Sequence, residues 1–181
     1  MRIVSGKFKA RRFSVPKGFP SRPTTDFAKE GLFNILENQL DLFDLAILDL
    51  CAGTGNISFE FLSREAGTVI AVDQNTRCLR HISETAKQLG ITTGLTTFKD
   101  DIQRFVERTT DTFDLIFADP PYAYPKHAEL VKTVFERKLL HPGGWLIVEH
   151  GRETKLNDLP FFEFVRSYGN VYFSFFIKDE N

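Results

Sequence analysis

Four consecutive residues, Asp119, Pro120, Pro121 and Tyr122, follow the apolar run 113–118. Prolines end a β-strand and a lone carboxylate is costly to bury, so the strand is predicted to end in a crevice. There the Asp119 carboxylate and the Pro120 carbonyl could accept hydrogen bonds from an exocyclic purine amine and localise its lone pair towards an incoming methyl group. Tyr122 could stack on the base. The alternative is that the prolines merely end the strand and Tyr122 fills the core.

A second set of candidate residues follows three other predicted strands. Gly53 and Gly55 occupy a strand-to-helix turn, where glycine allows close approach of a ligand and the helix start offers free N–H groups. Asp73 ends the next strand and could accept both ribose hydroxyls of an adenosine, while Asp101 could face the adenine edge. Each acid alone is more often a turn or cap residue. Together they lie at the carboxyl edge of the predicted sheet, where open α/β sheets bind ligands.

The elements that must position these residues alternate between β-rich and helical stretches. The predicted strands are 45–50, 68–73, 94–98, 113–118 and 145–150, and the predicted helices are 26–38, 57–64, 76–89, 102–108 and 127–140. This alternation indicates right-handed βαβ units and a Rossmann-like α/β fold with helices on both faces of a mostly parallel sheet. Aromatic-rich runs on either side of Gly169-Asn170 predict a closing antiparallel hairpin.

The amino-terminal segment is strongly basic. Residues 1–25 hold seven basic and no acidic side chains, whereas the rest of the chain has sixteen basic and 24 acidic ones, a net charge of −8. A basic arm on an acidic body is typical of local contact with a polyanion, and the alternative is a solvated basic face. We predict a hairpin of two short strands, 2–5 and 11–15, within an arm of residues 1–24, followed by a main domain of residues 25–181. The candidate polyanion contacts are Arg2, Lys7, Lys9, Arg11, Arg12 and Arg22.

Composition limits the class of protein. The chain of 181 residues is 42% hydrophobic and 26% charged, as expected for one globular domain. It contains no run of about 20 apolar residues and its amino terminus lacks the pattern of a signal peptide, so we expect a cytoplasmic protein. Cys51 and Cys78 lack metal-ligand spacing and are expected to be reduced structural cysteines.

These motifs, in their order and spacing, resemble a known family. The segment DLCAGTG, Asp73, the KDD sequence at 99–101 and DPPY look like a class I S-adenosylmethionine-dependent methyltransferase that acts on amines. The amino-terminal pattern with RPTTD at 22–26 is similar to the RsmD family of bacterial 16S rRNA guanine-N2 methyltransferases. The chain departs from that family at Phe27, where arginine is usual, and at Ser58, where glycine is common. These departures could alter RNA contacts and cofactor affinity.

The resemblance implies a seven-stranded sheet with a reversed last strand, methylation of a guanine N2 in a hairpin loop of 16S rRNA, and an arm that grips this RNA. The substrate is naked rRNA or the assembling small ribosomal subunit. We expect S-adenosylmethionine to contact Asp49, Ala52, Gly53, Gly55, Asp73 and Asp101. A guanine would swing out of its loop onto Tyr122, and direct displacement would need no metal or protein nucleophile. We expect a monomer.

Three alternatives stay open at this stage. A nucleotide-dependent oxidoreductase of the NAD type could use the glycine turn and Asp73, but a dinucleotide fingerprint needs a third glycine where the chain has Ser58, and DPPY would be unexplained. A noncatalytic RNA-binding module could retain the same fold. Adenine N6 in DNA or another RNA is the nearest alternative substrate, because DPPY serves related amine chemistry without identifying the base.

Overall fold

The computed structural model describes residues 1–20 and 24–179. Within these residues, five helices alternate with seven strands much as the sequence predicts. In chain order the elements are α1 (Asp26–Gln39), β1 (Ala46–Leu50), α2 (Asn56–Ser63), β2 (Thr68–Asp73), α3 (Thr76–Leu89), β3 (Leu95–Lys99), α4 (Ile102–Arg108), β4 (Phe113–Ala118), α5 (His127–Glu136), β5 (Leu140–His150), β6 (Phe162–Tyr168) and β7 (Val171–Ile177). None of the helices in this part of the chain is long and apolar enough to cross a membrane.

The seven strands form one sheet in the order β3-β2-β1-β4-β5-β7-β6. The first five are parallel, while β7 is antiparallel to β5 and β6 is antiparallel to β7. The predicted fold class is therefore confirmed, including the reversed strand at the end of the chain. The strand order reverses direction between β1 and β4, and open α/β sheets bind ligands at the carboxyl end of such a switch point.

Alternate residues along the central strands face two different hydrophobic layers. Ile47 and Phe117 belong to the layer that includes α1, α2 and α3, whereas Leu48 and Ile116 belong to the layer of α4 and α5. Burying one such side chain contributes roughly 1.5–3 kcal/mol to folding. Because both faces are covered, the strands read as apolar runs, and their polar residues are confined to the strand ends.

Local signals explain most helix boundaries. The Thr25 hydroxyl accepts a hydrogen bond from the Ala28 N–H at 3.2 Å and caps α1, and Asn75 caps α3 in the same way. The predicted end of the fifth helix at residue 140 is wrong, because α5 ends at Glu136 and Lys138 has a positive φ of 56°. The chain there turns into β5, whose first residues reach the start of β4 and whose length the sequence reading underestimated.

The amino-terminal segment forms less β-pairing than the predicted two-stranded hairpin. Instead of two strands it makes one antiparallel bridge, between Arg2 and Arg12, and residues 5–10 turn between them. The reason is that neighbouring elements satisfy the backbone, since the buried Glu60 carboxylate of α2 accepts the N–H groups of Val4 and Ser5 at 3.1 Å. The segment thus packs on the body of the protein.

Candidate active site

A crevice of about 850 Å³ opens at the carboxyl edge of the sheet. Its walls come from the ends of β1, β2, β4 and β5, from the start of α2, and from the segment that precedes α1. The predicted site residues Asp49, Ala52, Gly53, Asp73, Asp101, Asp119, Pro120, Pro121 and Tyr122 all line it. The fold therefore brings together residues that lie up to 73 positions apart in the chain.

The glycine turn between β1 and α2 is held by a carboxylate from the next strand. Gly53 and Gly55 have φ values of 54° and 76°, a region that favours glycine. The Gly53 N–H donates to Asp73 Oδ2 at 2.9 Å. A Cβ added at Gly55 would lie 2.8 Å from Phe59 and 2.9 Å from Ile82. Glycine at position 55 is therefore required by the protein interior as well as by its backbone conformation.

Asp73 and Asp101 each make a local hydrogen bond and also face the crevice. Asp73 Oδ1 accepts the Asn75 N–H at 2.8 Å, so each of its oxygens has a second lone pair available to a ligand hydroxyl. Asp101 caps α4 by accepting the Arg104 N–H at 3.1 Å. A half-buried carboxylate beside a glycine turn can accept hydrogen bonds from the ribose hydroxyls of an adenosine, so these acceptors suit an adenosine-containing cofactor.

Asp49 is fully buried below the glycine turn. The Ser58 hydroxyl donates to Asp49 Oδ2 at 2.5 Å, which gives Ser58 a definite role at a position where the resemblance leads one to expect glycine. Burial raises the pKa of Asp49 to about 7, against the opposing effect of the Ser58 hydrogen bonds.

The DPPY segment leaves β4 as a rigid turn. The Asp119 N–H donates to the Leu50 carbonyl at 3.0 Å, and the Tyr124 N–H closes the turn on the Pro121 carbonyl at 2.7 Å. Among the described residues none donates to the Pro120 carbonyl. Tyr122 is 55% exposed, so the alternative in which it fills the core is wrong.

Tyr122 forms an open platform over the start of the loop after β5. A Cβ added at Gly151 would lie 3.6 Å from the Tyr122 ring, so this ring packs against the backbone at Gly151. The Tyr122 side chain is otherwise more than half exposed and lines the crevice. An exposed tyrosine ring in a crevice can stack on an aromatic base, and the role of Tyr122 as that platform stays a prediction.

The sequence analysis did not identify Glu149 as a residue of the crevice. Glu149, near the end of β5, is 4% exposed, and its Oε2 accepts the Thr24 hydroxyl at 2.9 Å. Burial raises the pKa of Glu149 to about 7. The available signal was an acid at the end of a fifth β-rich run, the same signal that singled out Asp73.

Glu149 changes the electrostatics around Asp119. Burial, followed by the charges of Glu149 and Asp49, raises the pKa of Asp119 well above its ordinary value. Because Asp49, Asp119 and Glu149 lie close together, the protonation of each of these acids raises the tendency of the others to ionise, and they titrate as a coupled set. Across the part of the chain that the structure describes, no cluster of three or more His, Cys, Asp or Glu side chains is arranged to hold a metal ion.

The basic side chains of the arm differ in their surroundings. Arg2 forms ion pairs with Asp26 at 3.1 Å and Glu30 at 2.6 Å, and Arg11 donates to the Gln88 carbonyl at 3.2 Å. Arg2 is therefore largely neutralised by α1.

The other predicted polyanion contacts are more open. Lys9 and Arg12 are exposed, and the Lys7 ammonium lies 5.1 Å from the centre of the Phe8 ring. Arg22 lies outside the described residues. Lys7, Lys9 and Arg12 are thus exposed basic groups of the arm, as is Lys17.

This sheet order, with its reversed β7 and with DPPY at the end of β4, is the architecture of a class I methyltransferase. The model of the family described as "Conserved hypothetical protein 95" matches residues 1–177. The chain belongs to this family, and the resemblance to RsmD proteins inferred from the sequence is confirmed.

Curated relatives align with most of the chain. The chain is 33% identical over 159 residues to "Putative rRNA methyltransferase YlbH" of Bacillus subtilis, covering 86% of this chain and 85% of the relative. It is 30% identical over 157 residues to "Ribosomal RNA small subunit methyltransferase D" of Escherichia coli, covering 82% and 71%.

Solved structures share the fold. The structure titled "Putative methyltransferase yhhF from Escherichia coli" has a TM-score of 0.86 at 22% identity and covers 100% of this chain and 99% of its own. An S-adenosylmethionine dependent methyltransferase from Mesorhizobium loti has a TM-score of 0.56 at 24% identity and covers 67% of this chain and 52% of its own. At these identities the likeness concerns the fold.

Proposed function

We propose that the protein methylates the N2 amine of a guanine in 16S rRNA of the small ribosomal subunit, using S-adenosylmethionine. The observation that carries this proposal is the acceptor pair formed by the Asp119 carboxylate and the Pro120 carbonyl beside the exposed Tyr122 ring. The relatives named as rRNA methyltransferases support the RNA substrate, and the fold together with the glycine turn after β1 supports the cofactor.

The cofactor half of the crevice lies along β1 and β2. Asp73 would hold the ribose hydroxyls, the turn at Gly53 would allow close backbone approach, and Asp101 would face the adenine. When bound, S-adenosylmethionine supplies a methyl group on a positively charged sulfur. The carboxyl edge of the sheet would direct this methyl group towards the end of β4.

The DPPY residues form the part of the crevice that would bind the target amine. A guanine turned out of its loop would stack on Tyr122, a contact worth roughly 1–3 kcal/mol in nucleic-acid sites. Asp119 and the Pro120 carbonyl would accept the two N2 protons and localise the nitrogen lone pair. Because burial raises its pKa, Asp119 can also hold the proton that N2 releases once the new carbon–nitrogen bond has formed.

The arm supplies the RNA grip in this proposal. Lys7, Lys9 and Arg12 would contact phosphates, and their attraction would be strongest at low salt. Arg2 is paired with α1 and contributes less. The arm and the crevice together account for recognition of a structured RNA with one base turned out.

Methylation mapping tests the proposed function. Small-subunit rRNA from cells that lack the gene would be incubated with the purified protein and S-adenosylmethionine, and modified nucleosides would be identified by mass spectrometry. We expect N2-methylguanosine at one position. Methyl incorporation only as N6-methyladenosine, or into DNA rather than rRNA, would contradict the proposal.

A further inference from the structure

Glu149 and Asp119 occupy matching positions on neighbouring parallel strands. The last register pair of β4 and β5 is Ala118 with Val148, and the two acids come one residue later on each strand. Successive side chains of a strand point to opposite faces, so both carboxyl groups leave the sheet on the same face. Both line the crevice next to Tyr122.

Among the residues that the structure describes, one side chain, that of Thr24, orients the Glu149 carboxylate. The Thr24 hydroxyl donates to Oε2 at 2.9 Å, and Thr24 is itself held because its carbonyl accepts the Asn56 amide at 3.1 Å. The Lys29 ammonium in turn donates to Asn56 Oδ1 at 2.8 Å. No donor among the described residues lies on Glu149 Oε1. One oxygen is thus anchored by a buried chain of hydrogen bonds, and the other is available to a ligand.

The Watson–Crick edge of guanine supplies the missing donor. Guanine carries its N1–H directly beside the N2 amine. A guanine whose N2 amine donates hydrogen bonds to Asp119 and Pro120 therefore also places its N1 proton next to these two acceptors. The acid on the adjacent strand is in the position to accept it.

We infer that Glu149 accepts the N1–H of the target base and is the residue that selects guanine. This inference rests on the proposed function, since it assumes that the N2 amine lies at Asp119. It assigns a specificity-determining role to a residue outside the DPPY motif, and it makes Thr24 the positioning residue that orients the carboxylate.

The same geometry would exclude bases without an N1 proton. In adenine and in 2-aminopurine, N1 carries a lone pair and no hydrogen, so it would face the Glu149 oxygen without a donor between them. A site built around a buried polar group discriminates strongly against an analogue that leaves this group unpaired. Glutamine at this position could rotate its amide and donate to such an N1.

The test compares two RNA hairpins that differ in one base. Both carry the loop sequence mapped for the parent enzyme, and one has 2-aminopurine in place of the target guanine, which retains the N2 amine but lacks the N1 proton. We expect kcat/KM of the parent enzyme to be about 10- to 100-fold higher for guanine, the range expected for one hydrogen bond to a charged group. The Glu149→Gln variant should reduce this preference at least about 10-fold.

Matched variants separate recognition from stability. Glu153→Gln removes the same charge from an exposed side chain four residues later and should leave the preference unchanged. Thr24→Val removes the anchor of Glu149 and should weaken the preference less than Glu149→Gln does. Binding of S-adenosylhomocysteine reports whether each variant is folded.

Each outcome bears on a defined part of the inference. Equal use of both hairpins by the parent enzyme overturns it without needing any variant, and so does a Glu149→Gln variant that loses activity on both hairpins by the same factor. If the parent enzyme places no methyl group on guanine N2, the proposed function fails first and the inference fails with it.

Discussion

The Lys29 ammonium and the Glu60 carboxylate form an ion pair at 2.9 Å with both side chains completely buried. Glu60 also pairs with Arg64 and accepts the backbone N–H groups of Val4 and Ser5. This pair therefore joins α1, α2 and the amino-terminal arm in one network. Removing one partner of a buried pair leaves an uncompensated charge, which is far more costly than losing an exposed pair.

Lys29→Met should accordingly reduce the free energy of unfolding by about 3–5 kcal/mol. The loss includes the hydrogen bond from Lys29 to the Arg2 carbonyl, so the arm should become more susceptible to proteolysis at the same time. Urea titration followed by circular dichroism measures the first effect. Lys132→Met, on the exposed face of α5, is the control. Equal stability of the two variants would show that the buried pair contributes little.

Asp73→Ala should weaken binding of S-adenosylhomocysteine by about 1.5–3 kcal/mol. The variant would lose the proposed charged hydrogen bonds to the ribose, and it loses the acceptor that holds the Gly53 N–H. Isothermal titration calorimetry measures this change. Asp111→Ala alters an exposed acid far from the crevice and should bind like the parent protein. An unchanged affinity in folded Asp73→Ala would remove this residue from the cofactor site.

Asp119→Asn should leave binding of S-adenosylhomocysteine nearly unchanged and lower kcat by about 100-fold or more, since the proposed contact of this carboxylate is to the reacting amine. Single-turnover methyl transfer to the mapped RNA hairpin provides the rate. Asp111→Asn again serves as the matched control. Near-normal turnover of Asp119→Asn would contradict the proposed role of this carboxylate.

The rate should rise with pH through neutrality. Burial raises the pKa of Glu149 to about 7 and moves the pKa of Asp119 upward, so both acids take up protons as the pH falls. Protonated acids accept hydrogen bonds poorly, and kcat/KM should therefore decline below about pH 7 and level off above it. Glu149→Gln should shift the midpoint of this profile, whereas Glu153→Gln should leave it in place.

The stability of the protein should fall as the pH rises, whereas the rate should increase. In the unfolded chain Glu149 loses its proton near its ordinary pKa of 4.5, whereas in the folded protein it keeps the proton up to a pKa of about 7. The free energy of unfolding therefore falls as the pH rises from 4.5 to about 7, and it stays low above pH 7. Glu149→Gln should consequently stabilise the protein at about pH 8 by up to about 3 kcal/mol. Thermal unfolding at acidic and basic pH checks the sign, and a variant that is less stable at the higher pH would contradict it.

The triple variant with alanine at Lys7, Lys9 and Arg12 should weaken RNA binding and flatten its salt dependence, because each lost phosphate contact lowers the logarithmic slope by roughly 0.7–0.9. Fluorescence titrations of the rRNA hairpin at several salt concentrations give the slope. Binding of S-adenosylhomocysteine should not change.

A charge-matched triple variant distinguishes a specific grip from a general effect of net charge. Alanine at Arg108, Lys132 and Arg137 removes three exposed basic groups from α4, from α5 and from the residue directly after α5, on the opposite face of the sheet from the arm. Its salt slope should match that of the parent protein. If both triple variants behave alike, the arm is not the RNA grip.

The sequence by itself determined most of the fold. The limits of β2, β4, α3 and α4 agree with the residues predicted, and DPPY, the glycine turn and the acids at the strand ends are found along one crevice. These features follow from local periodicity, from turn residues and from the rule that parallel strands present their carboxyl ends at one edge. The roles assigned to the individual site residues stay predictions.

Only the tertiary structure showed which charged side chains are paired with distant residues and which lie next to one another. Glu149 meets Thr24 across 125 residues of sequence, and Arg2 meets Asp26 and Glu30 on α1. Neither contact leaves a local pattern, because a pairing between distant segments depends on how strands and helices pack and not on neighbouring residue types. The sequence therefore indicated a basic arm and an acidic crevice, whereas only the packed chain showed that Arg2 is neutralised and that a second carboxylate lies beside Asp119.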